Sequence, residues 1–362
     1  MLKEQGFNVK VMSFEREYHK GRLPNCNIES LGKIHNGQYF LRFFRIVKAL
    51  PKIRSSIKKF DVVYAFGPDM AAAAFVAAIG IKRPVIMEIG DITSLQLSKK
   101  VVGFLVRKLE SVLVNRLKLL VVISSGFLAE YYRTRLKVKT DAMLIENKLE
   151  RTFGMKSKLD DFDGRNIIVH QNSKKRMRIG YFGLLRDEWS WLVLKELCVR
   201  YPETYEVVFA GRPVSPKNLE EQVSKLDNMR FLGEYSSPKD LPKLYNQVDM
   251  IWACYSSIGP NDWNLRWGRP NRFFEGCYYN RPVFAREGAS FAEDVKRYTI
   301  GKVIRHTDIE QVIDEICSIS EADYLAWKDN LSSLPEKVYI YTSEAEELSK
   351  KIRNMVILSN KS

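Results

Sequence analysis

Two stretches of the chain combine residue types suited to holding an anionic ligand. Residues 180–197 read GYFGLLRDEWSWLVLKEL, a glycine-flanked turn leading into an amphipathic helix. Gly183 lets the backbone approach a ligand, the helix N-terminus offers N–H groups without internal partners, and Arg186 adds a fixed positive fork. Together they suit a diphosphate. The competing reading is an ordinary strand, glycine and helix with Arg186 as a solvated surface residue. In residues 268–288, GRPNRFFEGCYYNRPVFAREG, Pro270 and Asn271 break the chain before a short helix that carries Arg272 and Glu275, and the strand PVFA follows. Asp161 to Asp163 matches an Asp-x-Asp metal motif in form only, because no strand precedes it and acidic runs are usually solvated. The histidines, His19, His35, His170 and His306, stand beside no strand-end carboxylate of the first half, which argues against proton-transfer chemistry there.

Parallel βαβ units are expected to position these residues, since short Val- and Ile-rich runs alternate with longer helical patterns. Strands are predicted at 7–13, 61–66, 84–88, 119–124 and 142–146, then at 177–182, 205–210, 229–232, 248–253, 282–285 and 302–304. The fold class is therefore α/β, with two Rossmann-like doubly wound domains. The boundaries predicted are an acceptor-side domain over 1–160, a polar linker over 161–176, a ligand-binding domain over 177–324 and a helical tail over 325–362 that packs back toward the first domain. A length of 362 residues suits two such domains. In sheets of this kind the ligand sits beyond the carboxyl ends of the strands.

The segment 270–285, with its Pro-Asn-basic start, two apolar residues, Glu and a strand beginning at Pro, resembles the donor-binding helix of retaining GT-B glycosyltransferases of family 4. The resemblance implies that Glu275 binds the ribose of a nucleotide-sugar donor, UDP- or GDP-linked, with Asn271 and Arg272 near the phosphates. It extends to LLVVISSGFLAEYY and LIEN at 119–132 and 144–147, and to EVVFAGRP and MRFLGEYSSPKDLPKLYNQVDMIWA at 206–213 and 229–253. By analogy Gly211, Arg212 and Tyr235 join Gly183 and Arg186 in the donor site. PVIMEIGDI, at 84–92, resembles the family's strand that ends in a His-Asp pair. Gly90 stands where the His would be, so Asp91 alone carries over. The catalytic set implied is Arg186, Glu275 and Asp91, with the leaving diphosphate neutralised by Arg186, Arg272 and helix N-termini, without a metal or other cofactor.

The sequence departs from the pattern in three places. Trp267 occupies the position of an earlier glutamate. Trp191 and Leu192 stand where a lysine is usual, which leaves Arg272 or Arg212 to supply that charge. The opening MLKEQGFNVKVMSFERE resembles the end of the first helix and the second strand, so the first strand is expected to be missing. A catalytically impaired scaffold that binds a partner or a membrane is the alternative; a metal-dependent GT-A enzyme and a sugar-nucleotide epimerase fit less well.

The formal net charge is +15, from 58 Lys and Arg against 43 Asp and Glu. Such a surface attracts polyanions. No zinc-finger, helix-turn-helix or RNP-type signature points to nucleic acid, which leaves an anionic membrane surface and a glycan or lipid-linked acceptor as expected partners. Two basic amphipathic stretches carry this bias, one across 33–59 with an interruption at Pro51 and one across 99–118. Each is expected to turn its apolar face to the core and its basic back to solvent. The five cysteines, Cys26, Cys198, Cys254, Cys277 and Cys317, have no metal or redox spacing, as in a reducing compartment. The longest apolar stretch, 71–81, is far shorter than the roughly 18 to 20 residues of a spanning helix. A cytoplasmic protein, peripheral on the inner membrane face, is the expectation.

Overall fold

The computed structural model describes residues 1–15, 26–34, 39–151, 176–256, 258–259 and 262–361. The linker expected at 161–176 lies outside them except for Arg176, and so do the Asp161 to Asp163 motif, His19, His35 and His170. The chain forms two compact units, one of Met1–Glu146 with Ser343–Ser362 and the other of Asn147–Thr342.

In the first unit β1 (Lys10–Glu15) and β2 (Asn27–Lys33) form a parallel pair. A separate parallel sheet runs β3 (Val63–Phe66), β4 (Val85–Ile89), β5 (Leu119–Val122) and β6 (Ala142–Leu144) in sequence order. Strand β5 is buried throughout, as a parallel strand covered on both faces must be. No alternation announced β2. Its hydrophilic NIESLGK is tied down by charge, with Glu29 bridging Lys10 of β1 and Lys52 of the helix Tyr39–Ile57. The helix Glu344–Lys361 belongs to this unit. It buries Leu348 and Ile352, and Arg353 reaches back to the Gln5 carbonyl at 2.9 Å and lies over the Phe7 ring.

Both basic amphipathic stretches differ from expectation. The helix Tyr39–Ile57 runs straight through Pro51, which is exposed, so water can satisfy the Val47 carbonyl that loses its donor. Its cations are largely committed to the fold: Arg42 pairs with Asp69, Arg45 donates to the Lys33 carbonyl, and Arg54 caps the Ala77 and Ile79 carbonyls at 2.7 Å each. The helix Val101–Val114 is inverted, burying Gly103, Glu110 and Val114 while Val101, Val102, Phe104, Leu105, Leu109 and Val112 are exposed. Glu110 defines the inner face. Its carboxylate accepts from the Gln96 amide at 2.8 and 3.0 Å and from the Tyr131 and Tyr132 hydroxyls at 2.7 and 2.9 Å. Burial pushes this carboxyl above its ordinary range against those bonds.

Among the described residues the second unit holds one six-stranded parallel sheet. Its strands are β7 (Met177–Leu185), β8 (Tyr205–Pro213), β9 (Met229–Phe231), β10 (Met250–Trp252), β11 (Val283–Arg286) and β12 (Gly301–Ile304), in the order β12-β11-β10-β7-β8-β9. The order reverses between β7 and β10, which makes their carboxyl ends the topological switch point. At the opposite ends of those strands Arg178 grips the buried Asp249 through Nε at 3.0 Å, Nη2 at 2.7 Å and its own backbone N–H at 2.9 Å. The helix Glu321–Ser332 packs Tyr324, Trp327 and Leu331 into the cores of this unit, so residues 325–342 lie with the second unit and 343–362 with the first.

Candidate functional site

The switch point is built on two glycines. Strand β7 does not turn at Gly183 but continues to Leu185, in register with β8 as far as Pro213, and Gly183 pairs with Gly211. Both adopt positive φ, +105° and +120°, and a β-carbon on Gly211 would lie 2.0 Å from the Gly183 carbonyl oxygen. Only glycine permits two backbones this close. The Gly211 N–H also donates to the Gly233 carbonyl at 2.7 Å, joining the turn after β9 to the same corner. Tyr235 follows in that turn, its hydroxyl 3.9 Å from where a Gly183 β-carbon would be.

Glu275 lies on the helix Asn271–Tyr278, in the chain between β10 and β11, and is buried. Its Oε2 accepts from the Tyr245 hydroxyl at 2.6 Å, and Tyr245 is itself stacked on Tyr279 and set edge-on to Phe182 of β7. Burial raises the Glu275 carboxyl above the usual range, while the Tyr245 bond and the charge of Arg272 work the other way. Burial also raises the Tyr235 hydroxyl, with the Glu275 charge adding to the effect. Thus Gly183, Gly211, Tyr235, Arg272 and Glu275 come together around the ends of β7, β8 and β10.

The remaining candidates lie at the rim or elsewhere. Arg186 is exposed just past β7, Arg212 is exposed within β8, and Asn271 is exposed as the first residue of its helix. Pro270 caps that helix without a side-chain bond, and the Phe273 N–H is taken by the Pro270 carbonyl at 2.9 Å, so the Asn271 and Arg272 N–H groups are the ones an anion could meet. Asp91 is exposed beyond the carboxyl end of β4, in the first unit. Beside it, a β-carbon on Gly90 would lie 2.7 Å from the Phe66 ring, which fills the space a larger residue would need.

No family model matches the sequence. The succinoglycan biosynthesis protein ExoL of Rhizobium meliloti (strain 1021) is 30% identical over 289 residues, which is 78% of this chain and 70% of that protein. The chain belongs to the ExoL family. Among solved structures, Anabaena HepE in complex with UDP and glucose superposes with a TM-score of 0.63 at 15% identity, over 91% of this chain and 86% of HepE. Sucrose-phosphate synthase from Thermosynechococcus elongatus superposes with a TM-score of 0.68 at 11% identity, over 99% of this chain and 91% of that one. The fold is therefore GT-B, the fold of these glycosyltransferases.

In this ExoL-family chain the local chemistry differs from the sequence reading at two points. The N-terminus of the helix Glu188–Arg200 is not open, because Asp187 caps it by accepting from the Ser190 N–H at 2.9 Å and the Ser190 hydroxyl at 2.6 Å. The motif shows Asp187 in plain sight, yet its side chain prefers the helix N–H groups it flanks. Arg272 turns inward rather than toward the helix mouth. Its guanidinium donates to the Trp252 carbonyl and the Tyr255 hydroxyl at 2.9 Å each and packs 4.7 Å over Tyr181. Five donors on a planar fork suit it to bracing the end of β10 between aromatic rings.

Sequence reasoning missed Tyr245, Tyr255, Asp187 and Arg286. The last donates from Nη1 to the carbonyls of Ile304 and Arg305 at 2.8 and 2.7 Å, tying the ends of β11 and β12. An Arg at the end of an otherwise apolar strand, VFAR, was the available signal. Tyr245 offered none, since its partner lies 30 residues away.

Proposed function

We propose that this chain is a glycosyltransferase that moves a sugar from a UDP- or GDP-linked donor to a glycan or lipid-linked acceptor, with retention and without a metal, at an anionic membrane surface. The observation that carries the donor half is the paired Gly183 and Gly211 at the switch point with the buried Glu275 carboxylate behind them. The close glycine backbones admit a diphosphate, and Glu275, whose Oε2 is committed to Tyr245, reads a ribose hydroxyl through Oε1. Tyr235 flanks the base. Arg186, Arg212 and the uncapped first turn of the helix Asn271–Tyr278 take the charge that develops on the diphosphate as the bond from the anomeric carbon to the β-phosphate oxygen breaks. Arg272 acts through the framework that it braces. The acceptor oxygen bonds to the anomeric carbon on the departing face, and its proton passes to the diphosphate. Asp91 is assigned to the acceptor. Support comes from family membership with a protein of succinoglycan biosynthesis and from the UDP complex of HepE, a protein of the same fold.

Titration calorimetry with UDP, GDP and ADP, with and without EDTA, tests the reading beside Glu275→Ala. One diphosphate should bind regardless of EDTA. The variant should lose about tenfold or more in affinity, as expected for a charge-assisted hydrogen bond. Absence of binding by every nucleotide, or equal binding by the variant, overturns the donor site. With donor and acceptor supplied, NMR of the product's anomeric proton reads the stereochemistry, and an inverted anomer overturns retention. Binding without turnover under those conditions would identify a scaffold.

A further inference from the structure

We propose that the helix Val101–Val114 is a membrane-docking element that inserts its outer apolar face into the headgroup region of an anionic bilayer. The proposal rests on the membrane-face reading above but does not require glycosyl transfer. The helix is amphipathic in the opposite sense to a core helix. Successive residues turn about 100°, so Val101, Leu105, Leu109 and Val112 form one stripe and Gly103, Glu110 and Val114 lie on the far side. The stripe is the exposed one: Val101 is 75% and Leu109 70% accessible, and Val102 and Phe104 widen it.

The inner face cannot be exchanged for the outer. A β-carbon on Gly103 would lie 2.3 Å from the Ser98 carbonyl oxygen, so the helix sits directly on that backbone. Glu110 holds its four hydrogen bonds there. Arg107 adds bonds from its guanidinium to the Gln96 and Ser98 carbonyls at 2.9 and 2.7 Å. The exposed apolar stripe is therefore fixed by the packing of the helix rather than left by chance.

Charge selects the occupant. Lys99 and Lys100 precede the helix, Lys108 lies along the exposed side, and Arg116 and Lys118 follow its end, all five exposed. A basic-ringed apolar stripe is what an anionic lipid surface recognises, through burial of the apolar side chains and attraction of the flanking cations. A second copy of this chain fits poorly, because a two-fold pairing would set these like charges against themselves on a molecule already at +15. The helix is too short and too charged to cross the bilayer, and among the described residues no helix is long and apolar enough to do so.

The test is co-sedimentation of the full chain with phosphatidylcholine vesicles and with vesicles that also contain phosphatidylglycerol. It compares the wild type, the double variant Leu105→Glu with Leu109→Glu, and the variant Lys108→Gln. Wild type should bind the anionic vesicles preferentially. The double variant should lose about tenfold or more of that binding, and Lys108→Gln should lose less, with thermal melting unchanged in both. Equal binding by the double variant overturns the proposal. So does failure of the wild type to bind, including the case in which it self-associates and the double variant abolishes that association. Calorimetry with nucleoside diphosphates on the same samples separates the two readings: lipid binding without nucleotide binding leaves docking intact and removes the donor site, and the reverse removes docking alone.

Discussion

Replacing Gly211 by alanine tests whether β7 and β8 approach so closely at the switch point that only glycine fits there. At φ +120° an L-residue carries a backbone penalty of about 1 to 2 kcal/mol. The added methyl would meet the Gly183 oxygen at 2.0 Å, its carbonyl carbon at 2.8 Å and its Cα at 3.0 Å, all backbone atoms that cannot rotate aside. The strands must part, and the end of the ladder from Gly183–Gly211 to Leu185–Pro213 is lost with hydrogen bonds worth about 1 kcal/mol each. The sum is about 3 to 5 kcal/mol. Gly233→Ala is the control, because Gly233 also has positive φ, +75°, but nothing lies within 4 Å of its would-be β-carbon. It should cost about 1 kcal/mol. For a unit of this size each kcal/mol moves the melting temperature by about 2 to 4 °C, so calorimetry should find Gly211→Ala lowered by about 10 °C and Gly233→Ala by about 3 °C. Equal shifts in the two variants would refute the argument from close approach.

Asp187→Ala should remove a helix cap at a cost of about 1 kcal/mol while opening the Ser190 N–H and deleting a carboxylate beside the proposed diphosphate. Nucleotide affinity should hold or rise, and a weakened affinity by calorimetry would contradict the proposed path of the diphosphate. Glu110→Gln tests the buried carboxyl of the first unit. Because burial raises its pKa in the folded state, the folded form favours the proton. The stability Glu110 contributes is therefore present below the ordinary carboxylate pKa and is lost as pH rises through the raised one. Denaturant unfolding at about pH 4 and about pH 8 should show the variant gaining on the wild type at the higher pH, and a pH-independent difference would count against the assignment.

The parallel strands were legible because Val- and Ile-rich runs can bury both faces, and each of the eleven strands predicted overlaps an observed one, with bounds that differ by no more than three residues. Strand β2 was not, because its pairing depends on Glu29 answering Lys10 of β1 and Lys52 of the following helix. The helix Asn271–Tyr278 was legible from Pro270 and Asn271, which stop one element and start another. What the sequence could not convey was direction. Hydropathy places the apolar side of 101–114 inward, whereas the packing is decided by a glycine that fits against the Ser98 backbone and a glutamate with three neutral partners. In the same way Arg272 and Asp187 were visible as charges, but whether they faced a ligand depended on carbonyls and N–H groups that only the fold supplies.

The division of the chain also bears on the order in which the molecule comes together during synthesis. The second unit is one uninterrupted stretch, Asn147–Thr342, and its described strands all precede the helix Glu344–Lys361 in the sequence. The first unit, begun earliest, needs Ser343–Ser362, with Leu348 and Ile352 buried and Arg353 fastened to Gln5. A chain cut before Ser343 would therefore leave its defect in the unit built from residues 1–146, far along the sequence from the cut.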